Sequence, residues 1–537
     1  MDEETFDYIV VGAGSAGCAV AARLSEDPKI RVLLLEAGAD DPWIWLKIPL
    51  GVGKVLLGDR ALWRYQTEPE PMLDDRRIFW PRGRVFGGSS GVNGAIWVRG
   101  EPREYDAWSQ AGATGWSYAE ILPVLRRMES YAGGDVNERG RDGPVRITEY
   151  GPRDALTRAF LAACAQAGIP ETPDYNGTRF EGAGVLQLNT RRGLRHGGRE
   201  AYLRPAMRHA NLEVRANALV RRIRLDGMRA TGVVYRWRGE ERTARCGREI
   251  VVCAGAIGSP HLLELSGIGA PDHLAKAGIP VSHRLDGVGE NLRDHLHTRI
   301  SFASRNVQTL NETLANPVRM ALMGALYFVR RDGPMSTVTA TAHALARSSS
   351  ELDRPDVKIQ LHTLSAENPR HPTKLALDPF PGFGIGTFML RPESRGSIHA
   401  IAPDPDVPPA IRANYLADPR DRSTCVGALK LARLVAAQAA LRDFIVRETR
   451  PGPDFVTDAG LLAFAREFGT TSYHPVGTCR MGNDDGAVVD PRLRVRGLSG
   501  LRVADASVMP TMVSPNTNAP SFLIGEMVAD FLRAECQ

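Results

Sequence analysis

The 537-residue sequence has few cysteines and no regular arrangement of them. Its seven cysteines form no C-x-x-C pair, so the sequence indicates neither a zinc site nor a disulfide framework, and we expect no metal. Such cysteine usage fits a reducing compartment. The chain also lacks any run approaching the roughly 18 consecutive apolar residues that a membrane-spanning helix needs. A membrane span is therefore not expected.

The sequence also has no large excess of basic over acidic residues. Lysine and arginine number 67 against 62 acidic residues, and the formal net charge is +5. The arginines occur in short pairs such as Arg191-Arg192, which is weak support for a nucleic acid or another polyanionic partner. The acidic start, residues 1–4, differs from a secretory signal. We expect a cytoplasmic protein with small-molecule partners, and the sequence leaves its oligomeric state open.

A strand, a glycine turn and a helix start open the chain. The segment 6–11, which ends in the apolar run 8–11, is followed by Gly12, Gly14 and Gly17. In such a turn the first glycine permits a tight bend, the second lets backbone approach a pyrophosphate, and the third lets the helix pack on the strand. Glu36 ends the next apolar run, where its carboxylate can accept hydrogen bonds from ribose hydroxyls. The pattern predicts a dinucleotide-binding unit and does not separate FAD from NAD.

A second glycine-rich loop, residues 82–94, is suited to cradling a phosphate and a ring. Its glycines expose backbone amides, and its serines supply hydroxyls. The segment 504–507 adds further small residues near the C-terminus, and the buried strand predicted at 249–256 also ends on small residues. A large dinucleotide wrapped by distant parts of the sequence explains these features together.

These motifs resemble those of the glucose-methanol-choline (GMC) oxidoreductase family, in its choline dehydrogenase-like branch. Members are flavoproteins that oxidise alcohols. Beyond the two glycine loops, the matching segments are 259–269, 288–295, 474–482 and 505–518. The resemblance thus covers essentially the whole chain.

The resemblance implies an α/β fold with two domains, which the length of the chain also favours. The first is a Rossmann-type FAD-binding domain formed by 1–152, 193–299 and 472–537. The second is an α+β substrate domain with an antiparallel sheet, formed by 153–192 and 300–471. The implied cofactor is FAD. Some relatives attach the flavin covalently through a histidine of the second loop, but this chain has Val92 there, so we expect non-covalent FAD.

The resemblance also implies the residues of the site. The catalytic pair would be His474 and, 42 residues later, Asn516. The implied cofactor-binding residues are Gly12, Gly14, Gly17, Glu36, Arg84, Gly88, Ser90, Asn93, Val220, Ala254, Asp505 and Asn518. Of these, Val220 would meet the adenine through its backbone, and Ser90 and Asn93 would lie along the flavin and pyrophosphate.

The chemistry of the pair is consistent with these roles. Removing hydride from an alcohol needs a base for the hydroxyl proton, and neutral imidazole suits that work. Asn516 offers a donor and an acceptor without adding charge. We assign His295 and His297 to the scaffold, since polar groups beside turns usually satisfy backbone groups.

The reaction that these residues imply is oxidation of a small primary alcohol, aromatic alcohols included, to the aldehyde. Ser472, a polar residue two positions before His474, favours a dehydrogenase that passes electrons to a quinone over an oxidase that uses O2. A lyase or photodecarboxylase on the same scaffold is a further alternative. Residues 314–331 form an amphipathic helical pattern, which we assign to the core, with a lid over the substrate entrance as the alternative.

Overall fold

The computed structural model describes residues 4–151, 154–366 and 376–535. The principal strands, numbered along the chain, are β1 (Glu4–Val11), β2 (Val32–Leu35), β3 (Gly182–Val185), β4 (Leu212–Arg215), β5 (Ala218–Asp226), β6 (Arg229–Trp237), β7 (Glu240–Val252), β8 (Leu296–Ser304), β9 (Ala340–Ala346), β10 (Val357–His362), β11 (Gly382–Met389), β12 (Ile445–Arg450) and β13 (Leu501–Val503). The longer helices are α1 (Ser15–Leu24), α2 (Pro102–Gln110), α3 (Tyr118–Met128), α4 (Ala155–Gln166), α5 (Gly255–Leu265), α6 (Pro317–Arg330), α7 (Pro419–Ala436), α8 (Asp458–Phe468) and α9 (Asn518–Glu535).

Shorter elements connect these. The short helical segments are Ile44–Lys47, Pro49–Gly51, Val52–Leu56, Pro71–Leu73, Gly88–Gly91, Arg199–Leu203, Arg204–Ala206, Pro271–Lys276, Leu310–Ala315, Pro334–Ser336, Ala439–Arg442 and Ala506–Val508. The short strands are Leu62–Gln66, Phe79–Gly83, Glu129–Ser130, Val145–Arg146, Thr148–Glu149, Gln187–Leu188, Thr190–Arg191, Leu194–Arg195, Ile268–Gly269, His283–Arg284, Ser397–His399, Ala410–Arg412 and Thr470–Thr471.

The first large sheet has the order β4-β2-β1-β7-β6-β5, with β13 paired to β7. Strands β4, β2, β1, β7 and β13 run parallel, and β7, β6 and β5 form an antiparallel meander. Strand β2 is buried throughout, as expected for a parallel strand covered on both faces. Helix α9 packs on α1 so closely that a Cβ on Gly525 would lie 2.5 Å from the Ala16 carbonyl oxygen. The C-terminal helix is thereby fixed beside the first glycine turn.

The second large sheet is antiparallel and has the order β12-β8-β11-β10-β9-β3. Alternate residues such as Ile300, Ile359 and Ile385 are fully buried and belong to the same hydrophobic core as Leu429 of α7. Because side chains alternate along a strand, the intervening residues face the other way, where the sheet borders a cavity. The predicted α/β fold with a Rossmann-type unit and an antiparallel sheet is confirmed.

The predicted domain boundaries divide these two sheets approximately. The boundary between 299 and 300 falls inside β8, and the one at 152 and 153 lies outside the described residues. Within the described residues, no helix has both the length and the apolar character needed to cross a bilayer.

The assignment of residues 314–331 to the core is wrong. Helix α6 lies on the surface, where Val318 and Val329 expose 75% and 82% of their area and Tyr327 is the buried residue of the helix. The lid alternative is not supported either, since no residue of α6, all of it described, lines the cavity. The apolar positions are spread around the helix, so the hydrophobic pattern of this segment did not identify a face packed against the core.

Candidate active site

The first glycine turn lies at the carboxyl end of the parallel strands and leaves room for a dinucleotide. Gly12 has φ +98°, and a Cβ there would lie 2.6 Å from the Cys253 carbonyl oxygen. A Cβ on Gly17 would lie 1.9 Å from the Gly12 carbonyl oxygen. At Gly14, by contrast, a Cβ would meet no described protein atom nearer than 3.8 Å. The first and third glycines therefore serve packing, and the second borders open space at the start of α1, where a pyrophosphate fits.

Glu36 lies beside this turn, as predicted. One carboxylate oxygen accepts a hydrogen bond from the Ala13 amide and the other from the Gly38 amide, each at 2.7 Å. Each oxygen retains further acceptor capacity for ribose hydroxyls. Burial raises the pKa of Glu36, opposed by these two amides and by the charge of Arg84. Arg84 itself is exposed, and its guanidinium carbon lies 4.3 Å from the centre of the Trp63 ring.

The second glycine loop touches the first. Gly88 has φ +51°, and a Cβ there would lie 2.7 Å from the Gly14 Cα. The Ser90 hydroxyl is buried, donates to the Gly87 carbonyl and accepts from the Gly198 amide, so its side chain holds the loop. Asn93 lines the cavity, and its Oδ1 accepts from Arg195 at 2.7 Å.

The remaining predicted cofactor residues lie on segments next to the first glycine turn or Glu36; β5 reaches Glu36 through the Ala218 amide, which donates to the Glu36 carbonyl. Val220 lies in β5, and Ala254 is an exposed residue at the end of β7 beside Gly12. The Asp505 carboxylate accepts from the Gly255 amide and the Ser259 hydroxyl, which joins α5 to the C-terminal segment. Asn518 accepts from Ser15 through Oδ1, while its buried Nδ2 has no partner among the described residues. These residues fit a dinucleotide such as FAD.

A cavity of about 510 Å³ lies between the glycine loops and the antiparallel sheet. Ser89, Asn93 and Asn518 line it on the cofactor side, and His474 and Asn516 also line it. The structure therefore brings the predicted catalytic pair together with predicted cofactor residues in one cavity.

Hydrogen bonds determine which nitrogen of His474 carries the proton. Lys358 Nζ donates to Asn516 Oδ1 at 3.1 Å, so the amide nitrogen of Asn516 faces His474 and donates to its Nε2 at 3.0 Å. At the other end, His295 Nε2 donates to the Leu390 carbonyl at 3.0 Å, because a carbonyl only accepts.

It follows that His295 Nδ1 is an acceptor and takes the hydrogen of His474 Nδ1, 3.0 Å away. His474 Nε2 therefore carries a lone pair at the cavity wall. Burial, together with the charge of Lys358, lowers the pKa of His474 well below its usual value. The imidazole is neutral and ready to accept a proton on Nε2.

The backbone of His474 is also held in place. Its amide donates to Asp294 Oδ1 at 2.7 Å, and Arg82 donates to the Tyr473 carbonyl at 2.8 Å. Asp294 accepts two further hydrogen bonds, from Thr471 and Tyr415. Tyr473 adopts φ +65°, a strained conformation that is common at functional sites.

Two features of the site were not predicted from the sequence: the contact of His295 with His474 and the position of Lys358 in the cavity wall. The scaffold role assigned to His295 and His297 did not include the hydrogen bond of His295 to His474 or the position of His297 in the cavity wall. Lys358 is fully buried, and burial lowers its pKa to about 7. Lys358 and Gln360 alternate with the apolar residues of the segment 357–361, a pattern typical of a strand with one polar face. No signal in the sequence therefore marked Lys358 as buried.

Comparisons with known proteins identify the family. Two models described as GMC oxidoreductase match residues 6–297 and 392–525. The oxygen-dependent choline dehydrogenase of Photobacterium profundum is 39% identical over 98% of this chain and 92% of its own length. The mitochondrial choline dehydrogenase of Homo sapiens is 40% identical over 99% of this chain and 90% of its own.

Among solved structures, pyridoxine 4-oxidase from Mesorbium loti superposes with a TM-score of 0.89. It is 30% identical and covers 98% of this chain and 99% of its own. The comparisons favour neither the lyase nor the photodecarboxylase alternative. The chain therefore belongs to the GMC oxidoreductase family, and its activity is FAD-dependent oxidation of an alcohol.

Proposed function

We propose that His474 is the base of this oxidation and that Asn516 positions the alcohol. The lone pair on His474 Nε2, beside the donor Nδ2 of Asn516, is the observation that carries the proposal. An alcohol hydroxyl that replaces this direct hydrogen bond would donate to Nε2 and accept from Nδ2. Both contacts hold the oxygen and strengthen as negative charge develops on it.

The proton from the hydroxyl ends on His474 Nε2. Because Nδ1 already carries a hydrogen that His295 accepts, the protonated ring keeps its orientation. FAD, when bound, supplies the acceptor at flavin N5 for the hydride that leaves the carbinol carbon. Asn516 is in turn held by Lys358, so the donor remains aimed at the oxygen.

The FAD is held without a covalent bond in this proposal. Gly12, Gly14 and Gly17 together with Glu36 take the ADP part, and the Asn518 Nδ2 without a partner is a donor for the cofactor. Val92 lines the cavity and has no nucleophile to offer the flavin. Denaturation of the holoenzyme should therefore release all flavin into the filtrate.

In this proposal the substrate-binding domain comprises residues 153–192 and 300–471, which include the antiparallel sheet and its helices. The FAD-binding domain comprises 1–152, 193–299 and 472–537. Both contribute to the cavity, as Lys358 and Asn516 illustrate.

A dehydrogenase is proposed over an oxidase, on the ground that polar Ser472 lines the cavity close in sequence to the base. Mixing anaerobically reduced enzyme with air tests this. Slow reoxidation supports a quinone or another acceptor, and rapid reoxidation with peroxide release contradicts it.

Anaerobic bleaching of the flavin by alcohols tests the catalytic assignment. His474→Ala should keep its FAD and lose roughly 10²- to 10⁴-fold in the rate of flavin reduction. His283→Ala, a histidine bonded to the Arg496 carbonyl, is the matched control and should reduce at the normal rate. Equal rates for His474→Ala and the unmodified enzyme would remove His474 from the mechanism.

A further inference from the structure

The cavity wall is positively charged, whereas a cationic alcohol needs a negatively charged group beside it. The lining includes the cationic side chains Arg76, Arg77, Arg82, Arg299, Lys358 and Arg450. Among the described residues that line it, none is aspartate or glutamate. A positively charged substrate would find no counter-ion there.

Two of these cations project from the antiparallel sheet towards the cavity. Arg299 of β8 pairs with Gly386 of β11, which pairs with Gln360 of β10. Two residues along the same strands, Lys358 pairs with Phe388. Because directly paired residues share a face, Arg299, Gln360 and Lys358 lie on one face of the sheet. All three line the cavity.

Glycines in the central strand create the space that these side chains occupy. A Cβ on Gly384 would lie 2.7 Å from Arg299 Cδ, and one on Gly386 would lie 2.5 Å from His297 Nε2 and 2.8 Å from His362 Nε2. The long polar side chains of the two flanking strands, β8 and β10, therefore extend over β11. The sheet presents a surface rich in hydrogen-bond donors.

The donors on this surface are poorly satisfied by the protein. Arg299 has no carboxylate within 4 Å among the described residues, and its guanidinium reaches one described group, His362 Nδ1, at 3.5 Å. Lys358 is fully buried and donates to Asn516 Oδ1 alone among the described residues. Burial lowers the pKa of Arg299 to about 10 and that of Lys358 to about 7. Lys358 is buried and Arg299 is half-buried, and cations withdrawn from water without a counter-ion are costly unless a ligand supplies the opposite charge.

The other cations of the wall are engaged differently. Arg450 pairs with Asp378, and Arg77 pairs with Glu68. Arg82 donates to the Tyr473 carbonyl, and Arg76 donates to the carbonyls of Arg466 and Gly469. Arg299 and Lys358 are thus the cations of the sheet surface that a ligand can use.

We infer that the alcohol oxidised by this enzyme carries an oxyanion, a carboxylate or a phosphate, which Arg299 binds beside Lys358 while the hydroxyl lies between His474 and Asn516. This inference rests on the proposed function and sets its substrate class. A guanidinium fork matches either oxyanion through two parallel hydrogen bonds. A quaternary ammonium alcohol such as choline is disfavoured by the same two cations.

The test compares alcohols of similar shape and different charge. 4-(Hydroxymethyl)benzoate and 4-(hydroxymethyl)phenyl phosphate are the anionic substrates, benzyl alcohol is neutral, and (4-hydroxymethyl)benzyltrimethylammonium and choline are cationic. We expect kcat/KM for the better anionic alcohol to exceed that for benzyl alcohol by at least about 10-fold, with the cationic alcohols poorest. The ratio of the two anionic substrates identifies the oxyanion. Equal kcat/KM across charges, or a preference for the cations, overturns the inference.

Variants identify the residue responsible. Arg299→Gln should lower kcat/KM for the preferred anion by roughly 10- to 100-fold, mostly through KM, and change that for benzyl alcohol by less than about 3-fold. Arg305→Gln is the matched control, because Arg305 follows the same strand but is exposed and bonds the Asp443 carbonyl. An equal loss for neutral and anionic alcohols in Arg299→Gln would mean that the cation serves the cofactor and would overturn the inference.

Binding provides a readout that does not depend on turnover. Benzoate and benzyltrimethylammonium can be titrated into the holoenzyme and followed by the change in flavin absorbance. Benzoate should bind more tightly than the cation, and Arg299→Gln should abolish most of that difference while FAD content and melting temperature stay normal. If no alcohol reduces the flavin, the proposed function fails while this titration still decides the charge preference. Tighter binding of the cation contradicts the inference.

Discussion

The Nδ1 atoms of His295 and His474 lie 3.0 Å apart, and a single hydrogen lies between them. Since His295 Nε2 donates to the Leu390 carbonyl, that hydrogen belongs to His474. The position of one carbonyl group thus determines that Nε2, the nitrogen facing Asn516, is the basic atom of the site.

Replacing His295 by phenylalanine should slow flavin reduction by about 10- to 100-fold. The variant removes the acceptor for His474 Nδ1–H, so the ring loses its fixed tautomer and orientation. His295→Gln, which can still accept through its amide oxygen, should recover part of the rate. Stopped-flow flavin reduction measures both. Unchanged rates in His295→Phe would show that the pairing has no part in catalysis.

Replacing Asn516 by aspartate should make flavin reduction depend on pH. A carboxylate facing Nε2 favours the protonated imidazole and raises the pKa of His474. The rate should then be low, by about 100-fold near pH 7, and should increase as the pH rises through the new pKa. The unmodified enzyme should show no such titration of His474 above pH 6.5, since its pKa lies well below that value.

Asn516→Ala is the control for this experiment, because it removes the donor without adding charge. Its rate should be low and independent of pH over the same range. A parallel pH dependence in both variants would assign the titration to another group.

Substitution of two glycines should separate cofactor binding from folding. Gly14→Ala has no described protein atom within 3.8 Å of the new Cβ, so the protein should fold but bind FAD at least about 10-fold more weakly. Gly17→Ala places its Cβ 1.9 Å from the Gly12 carbonyl oxygen and should not fold stably. The ratio of absorbance at 450 nm to that at 280 nm, with melting curves of the apoprotein, measures the two effects. Full FAD content in Gly14→Ala would contradict the assignment of that space to the pyrophosphate.

The contribution of His399 to the stability of the fold should decrease as the pH rises from about 6.5 to 9. His399 is buried between Glu264, 2.8 Å from Nδ1, and Glu290, 3.0 Å from Nε2. Burial lowers its pKa, but the two carboxylates outweigh burial and raise it to about 9, whereas His273, which stacks on its ring, has a lowered pKa. A histidine with a raised pKa stabilises the fold below its unfolded pKa of about 6.5, and this stabilisation is lost as pH passes the folded value.

The contribution is of the order of 1–2 kcal/mol, since Glu290 is half exposed and solvent screens its charge. His399→Gln can still donate to Glu264 but carries no charge, so its melting temperature should be lower at pH 6 and should change less between pH 6 and 9. If the melting temperature of His399→Gln falls between pH 6 and 9 as steeply as that of the unmodified enzyme, a group other than His399 causes the pH dependence.

The helix α6 shows where sequence patterns mislead. Its apolar residues predicted burial, yet Val318, Leu322 and Val329 are exposed. Apolar residues spread around a helix do not show which face packs against the core, and whether another element covers them depends on the rest of the chain. The sequence carried no information on that point.

The sequence by itself determined the dinucleotide-binding unit, because the spacing of Gly12, Gly14 and Gly17 and the position of Glu36 follow from local backbone geometry. It also supplied His474 and Asn516 through family motifs. Only the tertiary structure decided which nitrogen of His474 is basic and which cations face the cavity. Those properties arise from contacts between residues far apart in the chain, such as Lys358 with Asn516 and His295 with His474, for which linear spacing has no signature.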